Sequence, residues 1–422
     1  MKILIPLFIC LTFNCAAQKN TRILLKADRV FDGNKMHAGW SVLINGNTIE
    51  AVGIITNVPA NTTTISLSGA TLMPGMIEGH SHLFLHPYNE TTWDEQVLNE
   101  SRTERTARAI NHAKATLLAG FTMVRDLGTE GAMYDDAALK KTIGKGIVIG
   151  PRMIVATRAI VAKGTYGPRS NNPDVHLPQG AAEVGNIDEL IKEVRLQISK
   201  GADLIKVYAD FGWGIDRQTA PTFTIEEIAA AVSIAKSSGR QVVAHATSAE
   251  GMRRAVLGGA SVIEHGDEGT AEVFALMKEK NVAFCPTLSA DEAVALYKSI
   301  KSGVAIDSSG IYQKRKSFGL ALKAGVTICM GGDVGVFTHG DNAREMELMV
   351  RYGMLPLDVL KSCTAVNAKV FGYGLQVGTL KPGMLADIIA VSGDPSKDIS
   401  DVRRTLLVIK DGVVYKSPAS SK

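Results

Sequence analysis

Six residues of this 422-residue chain have the types and spacing to gather divalent metal ions: His80, His82, Lys206, His245, His265 and Asp333. His80 and His82 end the run Met73-Pro-Gly-Met-Ile-Glu-Gly-His-Ser-His82. Alternate residues of a β-strand face the same side, so both imidazoles reach one point. Imidazole nitrogens suit zinc and related ions, and a carboxylate such as Asp333 completes such a set. A lone His-x-His does not define a site, because two ordinary core or surface histidines read the same way. Where the other four residues fall decides the matter.

They fall at the ends of strand-like runs. From about Thr103 the chain alternates helical and strand patterns. Residues 102–119 read as a helix stopped by Gly120, before the strand Phe121-Thr-Met-Val-Arg125. A helix over 187–200 stops at Gly201 and leads to Asp203-Leu-Ile-Lys-Val-Tyr208. Thr224 and Glu227 have capping-box spacing at the start of a helix closing near Gly239. Then come the strand Gln241-Val-Val-Ala-His245, a helix from about Ser248 and the strand Ser261-Val-Ile-Glu-His265. A helix near 271–280 precedes Val282-Ala-Phe-Cys-Pro286, and one near 314–324 precedes Val326-Thr-Ile-Cys-Met330, with Asp333 just beyond.

Repeated helix-to-strand units over roughly 250 residues argue for a parallel sheet, and closure gives a TIM-type (β/α)8 barrel. The rival, an open doubly wound sheet, usually carries a glycine-rich nucleotide loop after its first strand, and none is found. In a barrel the strand ends converge on one face, which would bring the six residues together. Residues 18–73 and 376–422 differ from the middle. They hold short β-rich runs such as Ser41-Val-Leu-Ile44, Asp387-Ile-Ile-Ala-Val391 and Leu406-Leu-Val-Ile-Lys410. A small β-sandwich built from both chain ends, flanking a barrel over 74–375, is the expected organisation.

Residues 1–17 read as a signal peptide: Lys2, the apolar run Ile3–Phe13, and Cys15-Ala16-Ala17 before Gln18. The chain is therefore expected to be exported, periplasmic or secreted. Acylation of Cys15 would instead make it a membrane-anchored lipoprotein, although Asn14 stands where a small residue is expected. A net charge of +4 without a Lys/Arg block argues against a nucleic-acid partner. Of five cysteines, Cys285, Cys329 and Cys363 lie beyond the leader; they form no spaced framework, and buried thiols rather than nucleophiles are expected.

With these motifs in view, the chain resembles the amidohydrolase superfamily, in the branch of imidazolonepropionase-like enzymes and metal-dependent Xaa-Pro dipeptidases. The resemblance rests on Leu72-Met-Pro-Gly-Met-Ile-Glu-Gly-His-Ser-His82, Gly201-Ala-Asp-Leu-Ile-Lys206, Val243-Ala-His245, Val262-Ile-Glu-His-Gly266, Gly331-Gly-Asp333 and Gly378-Thr-Leu-Lys-Pro-Gly-Met-Leu-Ala-Asp387. It implies that His80, His82 and Asp333 bind one divalent ion, His245 and His265 a second, with zinc expected. Lys206, carbamylated by carbon dioxide, would bridge the two; unmodified, it would leave a single metal. Asp333 would be the catalytic proton carrier. The implied activity is hydrolysis of an amide or peptide C–N bond in a small molecule, a dipeptide or an N-acyl amino acid, by a homo-oligomer. Hydrolysis of a cyclic amide or lactone is the alternative, and an inactive binding protein a weaker one.

Tyr166, Tyr208 and His339 lie on loops or strand ends where they would meet substrate. Tyr166 stands where many dipeptidase-like relatives carry a histidine in a glycine-rich loop, which weakens a simple dipeptidase assignment. Arg169, Trp213 and Arg217 are further loop candidates, whereas His37, His86, His112 and His176 fall off the strand-end pattern.

Overall fold

The computed structural model describes residues 22–172 and 174–418; the expected leader over 1–17, with Cys10 and Cys15, lies outside them. Among the described residues no helix is long and apolar enough to cross a membrane. The N-terminal strands Arg22–Phe31, Met36–Ala38, Ser41–Asn45, Thr48–Gly53 and Thr62–Pro74 join the C-terminal strands Ile388–Ser392, Thr405–Lys410 and Val413–Lys416 in one mixed sheet of eight strands. The seam is Thr62–Pro74, parallel to Arg22–Phe31 on one side and antiparallel to Ile388–Ser392 on the other. The chain ends thus meet as the β-rich patterns suggest, but as one continuous hydrogen-bonded sheet rather than as two separate layers. Leu25, Val42, Ile44, Leu72, Ile388 and Ile409 bury its apolar face. Each such side chain contributes about 1.5–3 kcal/mol by leaving water.

The middle of the chain is a TIM-barrel-like α/β arrangement. Met76–Ser81, Phe121–Asp126 and Arg152–Val155 form a parallel set of three. Six more parallel strands run in the order Ala182–Val184, Ile160–Ala162, Ile205–Tyr208, Val242–Ala246, Val262–His265 and Ala283–Cys285. The Asp203 amide, just before Ile205–Tyr208, donates to the Val155 carbonyl at 2.8 Å, and so links the two sets.

Local chemistry explains why the helices start and stop where they do. The side chains of Ser101, Asn186, Ser248 and Thr270 accept backbone N–H bonds at the starts of Arg102–Leu118, Ile187–Lys200, Ala249–Leu257 and Ala271–Lys280. Thr224 and Glu227 form a reciprocal capping box at the start of Ile225–Ser237. Gly201 closes Ile187–Lys200 at φ 107°, a conformation that suits glycine.

The expected strand over Val326–Met330 is not a ladder; only an isolated parallel bridge joins Ile328 to Phe284. The physical reason lies at its end. The Met330 carbonyl accepts from the Gly79 amide at 3.1 Å and from the Asn367 side-chain amide at 2.7 Å. Beyond it Val334 bridges to Ser81. The segment therefore touches Ala283–Cys285 at one end and Met76–Ser81 at the other.

Candidate metal centre

The strand ends bring all six sequence-chosen residues into one buried neighbourhood. His80 and His82 project from the same face of Met76–Ser81 and the residue after it, with ring centroids 5.3 Å apart. Asp333 Oδ1 lies 3.5 Å from His80 Nε2 and 3.3 Å from His82 Nε2. The His265 ring is 5.0 Å from His80 and 4.4 Å from His245. One ligand atom each from His80, His265 and Asp333 fits within 4.8 Å of the others. Lys206 leaves the middle of Ile205–Tyr208, 1% exposed.

Three of the four histidines are oriented by a bond at the outer nitrogen, the arrangement that fixes the tautomer of metal-binding imidazoles. His80 Nδ1 lies 3.0 Å from Glu264 Oε2, and Arg125 Nη2 donates to Glu264 Oε1 at 2.7 Å. His82 Nδ1 donates to the Gly128 carbonyl at 2.8 Å. His265 Nδ1 lies 2.9 Å from Thr287 Oγ1. His245 has no such bond; its Nε2 lies 3.8 Å from Asp210 Oδ1. Glu264 is thereby engaged in holding His80.

Among the six residues, two polar atoms are left over. His80 Nε2 and Lys206 Nζ are buried with no hydrogen-bond partner. Buried polar groups are rarely left so, and each such atom calls for an explanation. A divalent ion at His80 Nε2 and a carbamate at Lys206 Nζ would supply it, so the donor set fits the implied group.

The electrostatics agree with that fit at three of the four histidines, and at His82 a metal would have to displace a proton. Burial, reinforced by Lys206, holds His80 and His245 well below the ordinary imidazole range, in the neutral form that binds metal. Burial does the same to His265, helped by His245 and His80. Burial also opposes charge on Asp333, but His80 and His82 outweigh it and hold the carboxylate well below its usual range. Burial pulls Lys206 down from the ordinary lysine value, favouring the free amine that reacts with carbon dioxide. On His82 burial is overcome by Asp333, which lifts it to about 9.

The backbone is bent to make this cluster. His265 and Asp333 both sit at positive φ, 77° and 61°, unusual for residues with side chains. Gly331 permits the approach of the Asp333 segment, since a Cβ there would lie 2.7 Å from the His80 amide nitrogen and 2.6 Å from Cys285 Sγ. Cys285, Cys329 and Cys363 are free and buried, as expected.

The second group of candidates divides. Tyr208 stacks on His245 at 4.3 Å, and Tyr166 lies 4.8 Å from Tyr208, so both border the cluster. His339 stacks on His112 at 4.3 Å, and its Nε2 donates to the Leu85 carbonyl at 3.0 Å. His339 is thus buried on the turn beyond Asp333, with Nε2 bonded to the backbone and Nδ1 without a partner. Trp213 is half exposed on the hairpin Asp210–Gly212/Thr219–Pro221. His86 lies between Glu90 and Glu100, and His37 stacks on Trp40, both away from the cluster. Sequence reasoning missed Glu130, a buried carboxylate that accepts from the Trp93 indole and the Tyr166 hydroxyl. Its flanking sequence, Thr129-Glu130-Gly131, carries no signal of burial.

A barrel-like fold with metal-type residues at its strand ends defines a class of hydrolases, and comparison with known proteins gives the family. The model of the amidohydrolase family matches residues 71–414, and the chain belongs to that family. It is 30% identical over 413 residues to the ochratoxinase of Aspergillus niger, spanning 90% of this chain and 83% of that one. The crystal structure of a Xaa-Pro dipeptidase with methionine bound in its active site aligns with a TM-score of 0.85 and 31% identity, covering 94% of this chain and 100% of the other. Imidazolonepropionase of Deinococcus radiodurans is 23% identical, over 85% of this chain and 87% of its own.

Proposed function

We propose that this chain is an exported, metal-dependent hydrolase of an amide or peptide C–N bond in a small substrate, a dipeptide or an N-acyl amino acid. The observation that carries the reading is the meeting of four histidines, Lys206 and Asp333 at the strand ends, with His80 Nε2 and Lys206 Nζ otherwise unpartnered. His80, His82 and Asp333 would hold one zinc ion, His245 and His265 a second, and carbamylated Lys206 would join them. Bound there, the metal supplies Lewis-acid pull on the scissile carbonyl and a lowered pKa for the attacking water.

The chain's own residues do the rest. Asp333, kept ionised by its histidine neighbours, accepts the proton of the attacking water and delivers it to the leaving nitrogen. Glu264 and Thr287 keep His80 and His265 in register. Tyr208 and Tyr166 wall one side of the space where substrate would lie. The bonds that the 327–334 segment makes to Phe284 and Ser81 support a closed eight-stranded barrel beneath the site. The sequence of residues 1–17 supports export. The names of the relatives, a Xaa-Pro dipeptidase among them, support a peptide-type bond.

The test is turnover by purified, zinc-supplemented protein against dipeptide, N-acyl amino acid and cyclic amide libraries, read by mass spectrometry. Release of a free amino acid from a linear amide is expected. Turnover of cyclic amides alone, or of nothing, overturns the reading.

A further inference from the structure

A run of aromatic rings leads from the metal-type cluster to a carboxylate that the chemistry above does not use. Tyr208 stacks on His245, Tyr166 lies against Tyr208, and Trp93 sits 5.0 Å from Tyr166. At the end of that run stands Glu130, 2% exposed and held at φ 48°. Its Oε2 accepts from Trp93 Nε1 at 3.0 Å and from the Tyr166 hydroxyl. Its Oε1 is buried and has no partner.

That free oxygen lies near the His82 ring. A Cβ built on Gly128 would lie 3.2 Å from Glu130 Oε1 and 3.7 Å from His82 Cε1, so the oxygen and the His82 ring flank one point. The nearby Arg105 does not hydrogen-bond this carboxylate: its guanidinium donates to the backbone carbonyls of Phe84, Thr129 and Glu130. A buried carboxylate oxygen with no hydrogen-bond partner is costly, and aromatic walls with a carboxylate are a setting that recognises ammonium groups. Trp93 and Tyr166 fix the orientation of Glu130, so its free oxygen is aimed before any ligand arrives.

We propose that Glu130 Oε1 receives the α-ammonium group of the substrate, alongside Tyr166 and Tyr208. The proposal rests on the amide-hydrolase reading and narrows it: free dipeptides are substrates, and N-acylated compounds, which lack the cation, are poor ones. Glu130 is then a specificity-determining residue that touches substrate but no reacting atom.

The experiment compares alanyl-leucine with N-acetyl-alanyl-leucine and N-acetyl-leucine, using the metal-replete wild type and Glu130→Gln. Wild type is expected to favour the free dipeptide by about tenfold or more in kcat/KM, the scale of a hydrogen bond to a charged group. Glutamine keeps an acceptor for Trp93 and Tyr166 but removes the charge. E130Q should therefore lose about 10- to 100-fold on the free dipeptide, mainly through KM, with its metal content unchanged and its N-acetyl rates within about twofold. Wild-type turnover of the N-acetylated compounds as fast as the free dipeptide overturns the proposal without any variant and leaves the amide-hydrolase reading standing. A parallel fall on all substrates in E130Q assigns Glu130 a structural role and overturns it; loss of metal makes it a ligand and overturns it too. Turnover of none of the three, with no other linear amide cleaved, overturns the amide-hydrolase reading and this proposal with it.

Discussion

Asp333 is the residue on which two demands meet: it lies within reach of both His80 and His82, and in the proposed chemistry it also carries a proton. Asp333→Asn keeps the size of the side chain but cannot accept that proton. Turnover should fall by about 10²–10⁴-fold, with an unchanged far-ultraviolet circular dichroism spectrum. Near-normal kcat with metal bound would remove the proton-carrier role. Glu264 is a poor substitute, because its two oxygens are committed to His80 and Arg125. Lys206 makes a separate prediction. Lys206→Ala should bind at least one metal fewer by elemental analysis, because it lacks the amine that a carbamate needs; an ordinary barrel lysine would leave the metal content intact. The six central residues were legible in the sequence because metal chemistry restricts residue type and strand alternation restricts spacing. Glu130 was not, because its burial comes from Trp93 and Tyr166, 37 and 36 residues away, and no local pattern encodes that.

Helices and strands were readable where the determinant is local and less so where it is not. Ser101, Thr224, Ser248 and Gly201 mark helix ends through bonds made within a few residues. The helix Leu288–Ser302 escaped notice: Thr287, which precedes it, sits at φ 50° and gives it no side-chain cap. Its start is held from a distance, by Glu345, which accepts from the Leu288 and Ser289 amides and the Ser289 hydroxyl. The apolar run Val326–Met330 looked like a strand, yet its last carbonyl is taken by Gly79 and by the Asn367 side chain. Glu345 carries a pH prediction. Burial, opposed by those donors, raises it from 4.5 to about 7. Between those values the folded chain keeps a proton that the unfolded chain has released. Stability should thus fall as pH climbs through that window, by about 3 kcal/mol in total, and level off above it. Urea unfolding at several pH values should show a flatter profile for Glu345→Gln; an identical slope would exclude Glu345 as its source.

The contacts between the eight-stranded sheet and the central unit show how one chain holds its site in place from a distance. Arg152, beginning a central strand, donates to Asp411 Oδ1 at 2.6 Å, and Lys410 Nζ donates to the Gly150 carbonyl at 2.8 Å. The C-terminal strands therefore grip the central unit while pairing with the N-terminal ones at Thr62–Pro74. The metal-type residues come from separate strand ends far apart in sequence, so the full donor set exists only in the folded chain. An ion that binds the folded state alone stabilises it by mass action, about 4 kcal/mol at a free concentration a thousandfold above Kd. Chelator-stripped protein should unfold several degrees below the zinc-replete form in differential scanning calorimetry. Titrating zinc back should restore the difference and saturate near two ions per chain, in step with recovery of turnover. Lys206→Ala should reach its plateau at fewer ions and a lower Tm. Recovery complete at one ion per chain would reduce the site to a single metal and leave Lys206 unbridged. A Tm indifferent to zinc would mean that the histidine cluster binds none.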